Sequence, residues 1–151
     1  MNLKVIRVLN VFIAALLAGS LFGSLTGYNP GSLSAVSYVE QQQNAIRSLN
    51  TLMPLLGLIT IILTIIAAFY QRKNKKVFIT LLIATVLLLI SALITKFGNQ
   101  PINAIVMTWN KADIPVNWTD FRDRWWSLHV IRAISALIAL LLITVASIRK
   151  D

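Results

Sequence analysis

The sequence predicts an all-α integral membrane bundle of four transmembrane helices, with a short interfacial helix in the second outer loop. Three observations predict it. Apolar residues make up 57% of the 151-residue chain, with a mean hydropathy of +0.75, whereas an ordinary soluble domain carries about 45–50% apolar residues. These residues come in four runs, residues 8–25, 52–70, 77–95 and 130–148, each near the roughly 20 helical residues that cross a hydrocarbon layer about 30 Å thick. The charged residues lie between the runs, and only Arg132 falls inside one.

The first run follows Lys4 and Arg7 and ends near the small residues Ala18 to Ser20, a pattern that a cleaved secretory signal would also show. A spanning helix is the better reading, because Ala15, Gly19, Gly23 and Gly27 form a ridge of small residues four apart. Such a ridge lets a second helix approach closely in lipid. Tyr28-Asn29-Pro30-Gly31 then marks a turn, and a helix restarts near Ser34. Glu40, Gln43, Asn44, Arg47 and Asn50 share one face of that helix, which is expected to run on into the second span with a kink at Pro54.

The second and third spans are joined by so few residues that they must be antiparallel neighbours. Beyond the third, Asn99 is placed to cap a short helix starting at Pro101, whose stripe Ile102, Ile105, Val106 and Trp109 would lie at the interface or tuck against the bundle. After Pro115, Asn117 is expected to cap the last helix, with Asp120 three residues on. No internal repeat is visible, and the chain reads as one domain over residues 1–151.

The net charge of +9 belongs to the flanks of the spans. Lys4, Arg7, Arg72, Lys73, Lys75, Lys76, Arg149 and Lys150 fall on one side, and Arg47, Lys96, Lys111, Arg122 and Arg124 are spread over longer loops on the other. Lysine and arginine accumulate on the cytoplasmic face, so both termini and the 72–76 turn are expected there, in a multi-pass cell (inner) membrane protein. The partner this implies is the lipid bilayer; spanning helices leave no groove for nucleic acid.

Chemistry concentrates on the last helix. Trp118, Arg122, Trp125, His129, Arg132 and Ala136 recur at steps of four and three, continued by Ala139, Ile143 and Ala146. The seam is polar and aromatic toward the outside and small and apolar below, the pattern of an outward-facing cavity closed by tight packing. A cation inside a span costs about 2.5–3.5 kcal/mol or more, so Arg132 either points into the bundle or snorkels to the headgroups. The four tryptophans suit an interfacial belt, and some of them, Trp109 and Trp125 foremost, could floor a site for a planar ligand. Glu40, Gln43 and Arg47 are either a solvated helix face or ligand contacts. One histidine, five acidic residues and no cysteine do not make a metal centre, and no disulfide is available. No phosphate loop, paired catalytic carboxylates, Ser/His/Asp order or HExxH is present.

Asn99-Gln100-Pro101-Ile102-Asn103 after the third span, and Arg124-Trp125 with His129 and Arg132 entering the fourth, resemble the anthrone oxygenase-like family of small membrane proteins over essentially the whole chain. The resemblance implies oxidation of a tricyclic anthrone to an anthraquinone without metal or flavin, so no cofactor is expected. Family members often carry Trp-Asn where this chain has Leu128-His129. A cofactor-free oxygenase needs a base and a holder for the developing oxyanion: His129 would be the first, Arg132 with the Asn103 amide the second, and Asn99 would join the ligand contacts. Two other classes stay open: a non-catalytic membrane subunit gripping a partner, and a small-molecule transporter. The latter lacks the mid-membrane acidic residue usual in proton-coupled carriers.

Overall fold

The computed structural model describes residues 2–149. Helix α1 (Leu3–Gly27) starts at Asn2, whose side chain accepts a hydrogen bond from the Lys4 amide. After a 3-10 turn at Pro30–Ser32 come α2 (Ala35–Leu49), capped by Ser34, and α3 (Leu52–Tyr70). Helix α4 (Lys75–Ile94), capped by Asn74, runs through a π-helical turn (Thr95–Asn99) into α5 (Gln100–Val106). Last comes α6 (Trp118–Ile148). The helices α1, α3, α4 with its extension, and α6 are long and apolar enough to cross a membrane, so this is a multi-pass membrane protein.

The four long helices form a ring in which α1 packs on α3 and α6, and α4 packs on the same two. Their shared core is small on one side and bulky on the other. Ala133, Ala136, Ala139, Ile143 and Ala146 of α6 are buried with Ala14, Leu17, Ala18 and Leu21 of α1 and Leu81, Ala84 and Leu88 of α4. Large apolar residues such as Phe12, Leu58, Ile62, Val86 and Leu141 are exposed around the ring, where hydrocarbon is their solvent. Arg7 donates from Nε to Gln71 Oε1 at 3.0 Å, tying the start of α1 to the α3–α4 turn. Both helix ends and this turn therefore lie at one end of the bundle.

The ridge of small residues on α1 faces outward. Gly19, Gly23 and Gly27 are exposed, and a methyl group built on any of them meets nothing within 4 Å. The close approach is made instead by Ala14 and Ala18, neighbours in the next stripe round the helix, because that stripe also carries Leu17 and Leu21 and so buries more apolar surface.

Three expectations at helix ends are corrected. Asn50 and Thr51 form a turn that interrupts the helix between α2 and α3, so there are two helices and not one kinked rod; Pro54 then lies in the first turn of α3, where a missing N–H costs nothing. Asn99 caps no helix, since the π turn carries the backbone without interruption into α5 and frees the Asn99 side chain for a contact with α6. Asn117 makes no side-chain cap; the Asp120 amide bonds to the Asn117 carbonyl instead.

Over the far end of the ring, α2 and α5 form a lid. Ile46 of α2, Ile102 and Val106 of α5, and Trp125 of α6 make a second, separate apolar cluster. The short predicted helix is thus tucked against the bundle, with Ile105 left exposed.

Candidate functional site

Between the lid and the ring, at the end away from the start of α1, lies a cavity of about 310 Å³. It is within the size range of small-molecule sites. Helix α1 supplies Ser20 and Ser24, with Tyr28 just past its end; α2 supplies Gln42, with Asn50 just past its end; α6 supplies Trp125, His129 and Arg132; and Thr95 and Asn103 come from the π turn and α5. Asn103, Trp125, His129 and Arg132, far apart or merely in register in the sequence, thus line one space.

Arg132 points into the bundle. Its Nε and Nη2 approach His129 Nδ1 at 3.2 and 2.9 Å, and its Nη1 donates to Thr95 Oγ1 at 3.2 Å. The guanidinium carbon sits 5.8 Å from the Trp125 ring centre, within cation–π range. Three of the five N–H groups of an arginine are thereby used, and one remains on each terminal nitrogen. Among the described residues no carboxylate pairs with it; the acidic side chains in ion pairs are Glu40 and Asp123, with Lys111 and Arg122. The site therefore carries a cation with neutral partners only.

His129 is 1% exposed and stacks on Trp125, with ring centres 5.0 Å apart and planes 5° from parallel. Trp126 covers it at 5.7 Å. Since Nδ1 accepts from Arg132, the proton of the neutral ring sits on Nε2, which is turned toward the Leu21 carbonyl without a hydrogen bond. No lone pair is left for a ligand. In this arrangement the His129 Nδ1 lone pair is taken up by Arg132.

Asn103 is similarly committed. Its Oδ1 accepts from Trp125 Nε1 at 2.8 Å and from Gln42 Nε2 at 3.4 Å, while its Nδ2 donates to Asn50 Oδ1 at 3.0 Å. Gln42 in turn accepts from the Tyr28 hydroxyl at 3.2 Å, and the Tyr28 ring stands edge-on to Trp125 and Trp126. One amide relay thus fixes the indole that forms the wall of the cavity.

The other sequence candidates lie elsewhere. Glu40 is exposed and paired with Lys111 at 2.8 Å, and Arg47 is exposed outside the cavity. Gln43 is buried but donates to the carbonyls of Val106 and Trp109 at 3.0 and 3.1 Å, which fastens α2 onto α5. Trp109 packs edge-on against Phe121. Asn99 donates to the Trp125 carbonyl at 3.0 Å from behind the wall. Glu40 and Arg47 are displaced because α2 turns its Gln42–Ile46 stripe to the bundle and its charged stripe outward. Gln42, Tyr28 and Thr95 were not singled out from the sequence as site residues. The run Gln41-Gln42-Gln43 was the available signal, but it marks three directions on a helix at once.

Among the described residues no group of three histidine, cysteine or acidic side chains converges that could hold a metal ion. Fold and site together define a four-span membrane protein with an aromatic-walled cavity built around one partly buried cation. Anthrone oxygenase is the family that matches, over residues 43–142, and the chain belongs to it. No curated protein and no solved structure matches the chain. The match begins one residue after Gln42 and leaves out α1, so Ser20, Ser24 and Tyr28 are contributions of this chain from outside the matched segment.

Proposed function

We propose that the cavity binds a flat aromatic metabolite as its oxyanion and presents it to dioxygen, with Arg132 holding the negative oxygen through its two remaining N–H groups. The observation that carries this reading is the partly buried guanidinium, with no carboxylate partner among the described residues, facing a space walled by Trp125. A cation shielded from much of the solvent stabilises an anion more than it would in water. An anthrone or similar phenolic ketone bound there loses its acidic C–H proton to solvent, because ionisation creates the charge that the site lacks. A base on the protein is then unnecessary. The resulting carbanion gives an electron to dioxygen and the two radicals join in a peroxide at that carbon. Loss of the second proton from the same carbon then breaks the O–O bond, so that one oxygen atom becomes the new carbonyl and the other leaves as hydroxide, which is protonated to water. Trp125 supplies the flat face, and His129, Thr95 and the Gln42–Asn103 relay hold cation and indole in place.

The lysine and arginine asymmetry supports an orientation with both termini and the 72–76 turn in the cytoplasm, which would open the cavity toward the outer side of the cell membrane. The test of function is titration of purified protein with a hydroxyanthrone under nitrogen, read by quenching of tryptophan fluorescence, followed by oxygen uptake on admitting air. Arg132→Leu removes charge-assisted hydrogen bonds worth about 1.5–3 kcal/mol, so binding should weaken by about tenfold to a hundredfold. Binding and oxygen uptake that survive this change unaltered would sink the reading.

A further inference from the structure

A second chamber of about 210 Å³ meets the first at Arg132. Leu21, Met53, Pro54, Thr95 and Arg132 line both spaces. From there the second chamber runs outward between α3 and α4, past Gly57, Leu88 and Ala92, to Leu58, which is 54% exposed on the lipid-facing surface of the bundle. Beside Arg132 its polar lining is Ser91, Thr95, Lys96 and Gln100, and its other lining residues are apolar.

Gly57 gives this space its meaning. A glycine inside a helix costs about 1 kcal/mol relative to alanine, and in lipid it is usually accounted for by a neighbouring helix that needs the room. No neighbour uses the room here: a methyl group built on Gly57 meets nothing within 4 Å. The room beside Gly57 is part of the chamber, and a larger side chain at this position would project into it. At about 30 Å³ for each water-sized group, the chamber has room for about seven chain carbons, far more than dioxygen requires.

Resting on the reading of Arg132 as the oxyanion holder, we propose that the ligand is a membrane-borne amphiphile: a phenolic aromatic head in the first chamber and an aliphatic tail that leaves past Gly57 between α3 and α4 into the bilayer. Such a ligand enters from lipid and not from water, and its ionised oxygen lies at the junction of the chambers, where the guanidinium is. The fold accounts for both halves with one constriction.

The experiment uses the full-length protein in phosphatidylcholine nanodiscs, with 2-naphthol and its dodecyl-substituted derivative as probes and empty nanodiscs as the baseline for partition. Gly57→Phe fills the chamber and should lower the ratio of dodecyl to parent affinity by about tenfold, which is about 1.4 kcal/mol. On the wild type, a dodecyl probe with a diazirine near the head end of its chain should label α3 and α4 around Gly57, Leu58 and Ala92. This readout does not depend on the variant folding. Labelling confined to α1, α2 or lipid, or an affinity ratio indifferent to Gly57→Phe, overturns the tail assignment while leaving the Arg132 reading standing. Failure of both probes to bind the wild type, or undiminished binding of both by Arg132→Leu, overturns the oxyanion reading and the tail assignment with it.

Discussion

Single side chains in this protein divide by whether their polar groups are satisfied. Tyr38 is fully buried against Trp118, its hydroxyl has no partner, and burial raises its phenol well above the usual tyrosine range. The unpaired hydroxyl costs about 1–3 kcal/mol, so Tyr38→Phe should raise the melting temperature in detergent; a lower midpoint would mean that the hydroxyl has a partner. The same burial fixes a sign. A folded-state pKa above the unfolded value near 10 means that the unfolded chain releases its proton first, so this contribution to stability is complete below pH 10 and is lost as pH rises further. Wild type should therefore lose more stability than Tyr38→Phe between pH 9 and 11, measured as the difference of their midpoints. Gln43 is the opposite case, since both of its hydrogen bonds anchor the lid. Gln43→Ala leaves two carbonyls without that donor, and a loss of about 1–3 kcal/mol is expected, with faster proteolysis of the α2 segment as a second readout.

Whole elements behave as their stripes dictate. On α1 the exposed glycines support no helix contact within the bundle, so Gly19→Ala and Gly23→Ala should be neutral or stabilise by up to about 1 kcal/mol each through helix propensity. A clear drop in midpoint would show that this face packs on something beyond the bundle. At the π turn the relation is reversed: a methyl group on Gly98 would come within 2.8 Å of Leu128 Cδ1. Glycine there lets Leu128 of α6 seat in the turn, and the turn in turn swings Asn99 behind Trp125. π-helical turns often mark functional sites because they re-aim the side chains around them. Here the turn also sets Thr95 opposite Arg132, so the polar rim of the cavity depends on one irregular stretch of backbone.

Over the whole molecule, the charge asymmetry makes a prediction that the native lack of cysteine renders simple to check. With Asn74→Cys and Asp113→Cys introduced singly, both at exposed positions, a membrane-impermeant maleimide should label residue 113 in intact cells and residue 74 only after lysis. Labelling of residue 74 from outside would invert the topology and with it the side on which the cavity opens. Either result keeps the fold, because the up-and-down ring follows from four spans and short connections.

The sequence by itself determined the four apolar helices, the antiparallel pairing of the second and third, and the small-residue seam of the last, since hydropathy and helical period are local properties of the chain. It also placed Trp125, His129 and Arg132 on one stripe, because steps of three and four residues on a helix admit no other arrangement. Tertiary structure alone decided which stripe of α1 and of α2 turns inward. Both helices offered two plausible faces, and the choice is made by the apolar area that each face can bury against partners distant in sequence. It also converted Asn99 from a cap to a brace and set His129 against Arg132. Those assignments depend on which partner lies within hydrogen-bond reach, a matter of a few ångströms between residues dozens of positions apart, on which the pattern of one chain is silent.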